Sequence, residues 1–199
     1  MSAPHVTRGR GLLEPLLAWA RARRANSLIR PDLRDGRVLD VGCGSYPYFL
    51  SHTSFREKAA IDQLPPAAGR GGGEIDWHTL DLNATPSLPF PDRHFAAVTM
   101  LAVIEHLDPS ALETLFGEVH RVLEPGGRLI LTTPAPWSDG LLHLMARLGL
   151  VSAEEIAEHV FCYPPALLGW YFARGNFPRD HIRIGFFECW LNIWATADR

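Results

Sequence analysis

From residue 37 to residue 133 short apolar runs alternate with segments of helical period. Arg37–Val41, Lys58–Asp62, Glu74–Asp81, Phe95–Leu101 and Arg128–Thr133 read as strands. A short helix is expected around Pro47–Ser54. A longer one follows Asp108 and Pro109, with Leu112, Leu115, Phe116, Val119, Val122 and Leu123 as its apolar stripe. Ser110 and Glu113 have capping-box spacing at its start, and Pro125-Gly126-Gly127 is expected to stop it.

The flanks are less regular. Gly11–Ile29 predicts an amphipathic helix with Arg21, Arg23, Arg24 and Arg30 towards its end. A solvated face is the simpler reading of those cations, and a lid over a substrate pocket or a membrane-surface contact the sharper one. Residues 134–163 form a long connection with helical patterns of their own, including a second capping box at Ser152 and Glu155. Pro164 and Pro165 then open a helix over Ala166–Arg174 that Gly175 closes. His181–Glu188 and Cys189–Ala197 are strand candidates too close together for a crossover, so an antiparallel final pair is expected. The sum is an α/β fold: a Rossmann-like, doubly wound, mostly parallel seven-stranded sheet with an antiparallel C-terminal strand. We read 1–199 as one domain, with 1–30 as an N-terminal helical segment and 134–163 as an insertion covering the substrate.

Composition narrows the functional classes. A net charge of -3 gives no general attraction to nucleic acid. The three cysteines, Cys43, Cys162 and Cys189, form no CxxC pair, which argues against a zinc ribbon or a disulfide framework and fits a cytoplasmic setting. No signal peptide or spanning segment is expected, since Glu14 and Pro15 interrupt the apolar run Leu12 to Ala20.

The chemistry concentrates at Val38-Leu39-Asp40-Val41-Gly42-Cys43-Gly44. A strand entering a glycine turn ahead of a helix is where open α/β sheets bind nucleotide-like ligands. Asp40 puts a carboxylate at that point, which repels phosphate and attracts ammonium. A GxGxxG dinucleotide loop is not formed, because Tyr46 and Pro47 follow Ser45 with no third glycine.

These residues resemble the class I S-adenosylmethionine-dependent methyltransferases, in particular the subgroup called methyltransferase type 11. The resemblance covers Arg37 to Thr133 well and the remainder loosely. It is carried by the first motif, by Ala60-Ile61-Asp62, by Leu80-Asp81-Leu82 ahead of Leu88-Pro89-Phe90, by Val103-Ile104-Glu105-His106-Leu107, and by Glu118 to Gly127. It implies S-adenosyl-L-methionine as cofactor. Asp40 would face its ammonium; Gly42, Cys43 and Gly44 would let the backbone approach the methionine part. Asp62 would accept from the ribose hydroxyls, and Asp81 from the adenine amino group with Leu82 beside the ring. Met100, Leu101 and Ala102 would line the methionine end. Asp62 also reads as a surface acid and Asp81 as a turn former, since Asp-x-Asn opens loops. The chain departs from the family at Tyr46, where a third glycine is common, and at Ala96, where an acid often follows Phe95.

Methyl transfer from a sulfonium demands alignment and exclusion of water, and a base only where the acceptor is protonated. His106 is the leading base candidate, with a helix-start histidine as the alternative; His143, His159 and Tyr163 lie in the covering segment. Glu105 and His106 are too few ligands for a hard cation, so no metal is expected. Trp170, Tyr171, Phe172, Phe177, Phe186, Phe187, Trp190 and Trp194 read mainly as core. Alternatively they form an apolar wall with Trp137, Leu141, Leu142, Leu144 and Met145 for a lipid-like or aromatic acceptor. The expectation is O-methylation of a small or medium organic acceptor, without nucleic acid or stable membrane insertion. The alternatives are a non-catalytic cofactor-binding protein of the same fold and a nicotinamide-dependent oxidoreductase.

Overall fold

The computed structural model describes residues 11–67, 74–157 and 160–199, the side chains of 154 and 155 apart. The glycine run 69–73, His159 and the Glu155 cap lie outside what is described. The helices are α1 (Glu14–Leu28), α2 (Tyr48–Ser51), α3 (Pro109–Val122), α4 (Asp139–Arg147), α5 (Ala153–Ala157) and α6 (Pro165–Arg174). The strands are β1 (Arg37–Val41), β2 (Glu57–Asp62), β3 (Ile75–Thr79), β4 (Phe95–Leu101), β5 (Leu123–Pro134), β6 (Ile182–Phe187) and β7 (Asn192–Asp198).

The seven strands lie in the order β3-β2-β1-β4-β5-β7-β6. All neighbouring pairs are parallel except those of β7, which runs antiparallel to both β5 and β6. The expected fold class is therefore the observed one, with β7 as the reversed strand. Strand order changes direction between β1 and β4, and in an open sheet that point leaves a crevice beyond the strand ends.

Alternate strand residues feed two cores. Leu39, Ile61, Val98, Leu129 and Leu131 pack with the stripe of α3 and with Leu168 and Phe172 of α6. Val38, Ala60, Ala97 and Ile130 pack with Ala22 and Ala25 of α1 and with Phe49 and Leu50 of α2. Burial on both faces explains why β1 and β4 read as continuous apolar runs.

Three local expectations are corrected. The α3 cap is Asp108, whose carboxylate accepts the Ser110 N–H at 2.9 Å, while Glu113 pairs with Arg174 instead of closing a box. Pro125-Gly126-Gly127 is not a break but the start of β5. Gly126 takes φ +78°, and a Cβ on Gly127 would stand 3.1 Å from the carbonyl oxygens of Phe95 and Ala96, where the β4–β5 register shifts. On α1 the small residues Ala18, Ala22 and Ala25 face inward, while Leu12, just ahead of the helix, and Leu16 and Trp19 stay exposed.

The aromatic cluster divides likewise. Tyr171, Phe172, Phe177 and Phe187 are buried, whereas Trp137, Leu141, Leu144, Trp170 and Trp190 are exposed.

Candidate active site

The loop after β1 is shaped from both sides. Gly42 has φ +73° and donates its N–H to the Ile61 carbonyl at 2.7 Å. A Cβ there would lie 2.4 Å from Val103 Cγ2, so this glycine makes room for a protein side chain rather than for a ligand. Gly44 has φ +69°, and the atom nearest its absent Cβ is the Tyr46 carbonyl oxygen at 4.0 Å; the loop is open on that side.

Asp62, at the end of β2, holds this loop. One carboxylate oxygen accepts the Gly44 N–H at 2.8 Å and the other the Leu64 N–H at 2.9 Å. Each oxygen keeps a further lone pair, so a ligand hydroxyl is still accommodated. The parallel register of β1 and β4 sets Asp40 opposite Thr99, whose hydroxyl donates to Asp40 Oδ1 at 2.6 Å. Asp40 is 3% exposed. Burial pushes its carboxyl up to about 7; the Thr99 bond opposes this, and the nearby Asp62 charge adds to it. Burial and the same two acids push the Cys43 thiol up as well, which removes it as a thiolate nucleophile.

Asp81 is exposed and forms the turn that its Asp-x-Asn sequence suggested, its carboxylate accepting the Asn83 N–H at 2.9 Å. Asn83 in turn donates to the His106 carbonyl at 3.2 Å and accepts the Asp108 N–H at 2.8 Å. This laces the loop after β3 to the short 3-10 turn Ile104–His106. Consecutive residues of that turn diverge. His106 faces the crevice, whereas Glu105 is buried, accepts from Thr133 at 3.0 Å, and is pushed up by burial.

Asp40, Gly42, Cys43, Gly44, Asp62, Asp81, Leu82, Leu101, Ala102 and His106 thus line one cavity at the C-terminal ends of β1, β2 and β4. Met100 lies in the core beneath it. His143 is not brought there; it is exposed on α4, 3.6 Å from Asp139. Tyr163 is buried, with its hydroxyl 3.4 Å from the Leu107 carbonyl. Among the described residues none of 134–163 lines the cavity. From α1, Ala18, Arg21 and Ala22 line it. Tyr46 and Tyr48 also line the cavity beside the glycine loop, their rings 6.3 Å apart. No group of three His, Cys, Asp or Glu converges on one point among the described residues.

Thr99, Asn83 and Arg21 were not singled out from the sequence for these positions. Thr99 is recognisable only once the β1–β4 register is known. For Arg21 the signal was the arginine-rich helix itself.

The residues present fit S-adenosylmethionine. The buried Asp40 carboxylate beside Asp62 is costly to charge, and a cation placed against it relieves that cost. The cofactor's ammonium and sulfonium are cations, whereas a dinucleotide brings a diphosphate. The opening at Gly44 gives the backbone close access to such a ligand.

The comparisons agree with the geometry. A family described as "Methyltransferase domain" matches residues 15–181. A ubiquinone biosynthesis O-methyltransferase of Xanthomonas oryzae is 28% identical, over 95% of this chain and 82% of that protein. A ubiquinone/menaquinone biosynthesis C-methyltransferase of Desulfotalea psychrophila is 31% identical over 116 residues; the chain spans 45% of its length. The crystal structure of an S-adenosylmethionine-dependent methyltransferase from Archaeoglobus fulgidus superposes with a TM-score of 0.68 at 17% identity. It covers 92% of this chain and 94% of that one.

Proposed function

Because the chain belongs to the S-adenosylmethionine-dependent methyltransferase domain family, we propose that it methylates a hydroxyl on an aromatic acceptor of the quinone-precursor class. The observation that carries this reading is the joint lining of one cavity by Asp40, Asp62 and His106. The O-methyltransferase relative supports oxygen over carbon, since it is matched over most of its length and the C-methyltransferase over less than half. A quinone carries a methylatable oxygen only as its hydroxylated form, so the acceptor is a phenol.

When bound, S-adenosylmethionine supplies a methyl group already activated by positive sulfur. Asp40 holds the ammonium end, and the Cys43–Gly44 backbone takes the methionine portion. Asp62 accepts from the ribose hydroxyls, Asp81 with Leu82 holds the adenine, and Leu101 and Ala102 flank the methionine side. His106 accepts the phenol proton on an imidazole nitrogen, and the oxygen–methyl bond would form as the methyl–sulfur bond breaks, with a neutral thioether as leaving group. Acting as a lid, α1 would exclude water from the cavity that its Ala18, Arg21 and Ala22 line.

The test is calorimetric titration with S-adenosylmethionine, then mass-spectrometric product detection over a panel of catechols and hydroquinones. His106→Gln should lower kcat on a phenol by roughly 100-fold while leaving cofactor affinity unchanged. An unchanged kcat removes the base role, and methylation only at ring carbon removes the oxygen assignment.

A further inference from the structure

We propose that the outward faces of α1 and α4 form one docking surface for an anionic lipid bilayer, beside the cavity. Both helices are turned the wrong way round for packing. The inward face of α1 carries Glu14 and alanines, while Leu12, Leu16 and Trp19 are 78%, 56% and 47% exposed. Helix α4 buries none of its residues and exposes Leu141 and Leu144, with Leu148 exposed just beyond its end. An apolar stripe of this kind on a soluble face marks an interaction site.

The two stripes meet at one end, where the start of α1 is hydrogen-bonded to the segment after α4. The Leu12 N–H donates to the Gly149 carbonyl at 3.3 Å, and the Leu13 N–H to the Leu150 carbonyl at 2.9 Å. The Glu14 carboxylate accepts the Ser152 N–H at 3.0 Å, clamping the start of α1 to the segment after α4.

Charge selects the occupant. Arg23 lies over the Trp19 ring at 5.3 Å, and Arg147 sits between Leu144 and Leu148. Neither forms an ion pair among the described residues; of the acids on the two helices, Glu14 is buried and Asp139 stands 3.6 Å from His143. Leucines and a tryptophan rimmed by unneutralised arginines match a headgroup layer of phosphate esters over acyl chains. A second copy of this chain would bring a patch of the same positive sign against this one. No helix among the described residues is long and apolar enough to cross a membrane, so the chain would lie on the bilayer. Since α1 lines the cavity with its other face, a docked surface stands next to the active site. That docking delivers the acceptor rests on the reading of an apolar aromatic substrate given above; the docking itself does not.

The test is co-sedimentation of the full chain, without cofactor or acceptor, with phosphatidylcholine vesicles that contain or lack phosphatidylglycerol. Binding is expected to the anionic vesicles, falling roughly tenfold in Leu16→Glu/Leu144→Glu and several-fold in Arg23→Glu or in high salt. These positions lie outside the cavity, so cofactor affinity and melting temperature should match the wild type and confirm that the variants fold. Trp19→Glu provides a second apolar variant. Absent binding to anionic vesicles, or equal binding by wild type and both apolar variants, would overturn the proposal. So would a dimer in light scattering that the double variant dissociates, with no vesicle binding. Because the readout involves no turnover, failure of the phenol assignment would leave it unmoved.

Discussion

The Thr99 hydroxyl donates to Asp40 Oδ1 at 2.6 Å across the β1–β4 junction. Thr99 is fully buried, and its bond is the force that lowers the Asp40 pKa against the larger desolvation that raises it to about 7. The balance leaves a carboxylate that is expensive to ionise without a ligand. The pair therefore links cofactor binding to stability and to pH.

Cofactor affinity should rise with pH through about 7 and then level off, because the ammonium binds the ionised form of Asp40. Calorimetric dissociation constants from pH 5.5 to 8.5 check this. A flat profile would show that Asp40 does not contact the cationic end.

The linkage for stability has the opposite slope. Asp40 in the folded chain, near 7, holds its proton more tightly than in the unfolded chain, near 3.8. Its contribution is fully present below about pH 4 and is lost as pH rises through 7. Asp40→Asn removes that loss. The free variant should gain on wild type as pH rises from 5 to 8, by on the order of 2–3 kcal/mol, while cofactor affinity falls at least tenfold. Denaturant melts at the two pH values, with and without cofactor, provide the measurement.

Asp62→Ala should weaken both loop and ligand. Two backbone amides lose their acceptor, at a cost of roughly 1–3 kcal/mol of stability, and cofactor affinity drops by a comparable factor. Chemical denaturation and calorimetry on one preparation separate the two losses. Undiminished stability would mean that water replaces the carboxylate at both amides.

Gly42→Ala should cost about 2 kcal/mol or more, from its positive φ and from the 2.4 Å approach to Val103. Adding Val103→Ala should recover part of it, because only the steric share depends on that side chain. A double-mutant cycle of melting free energies reads the coupling. Strict additivity would assign the whole cost to backbone strain.

Much of this protein was legible in one dimension. Strands buried on both faces must be apolar throughout, so β1 and β4 were delimited to the residue from composition alone. The glycine turn and the acids at 40, 62 and 81 lie at strand ends, where local sequence controls the backbone, and all of them meet at one cavity. What local pattern misjudged were features settled by a distant partner. The α3 capping box did not form, since Asp108 caps the helix and Glu113 pairs with Arg174, and the glycine pair after Pro125 became strand where Phe95 and Ala96 lie against it.

By itself, the order of residues determined the sheet, the loop chemistry and the kind of ligand that a buried acid can welcome, since each follows from nearest neighbours along the chain. Only the tertiary structure decided which segments line the cavity. Among the described residues α1 contributes to the lining and 134–163 does not, and His143 was left on the surface. Hydrophobic periodicity shows that a helix has two faces, but which face meets the core depends on what lies opposite. Here the crowded sheet accepts the alanines of α1 and leaves its leucines and tryptophan outside.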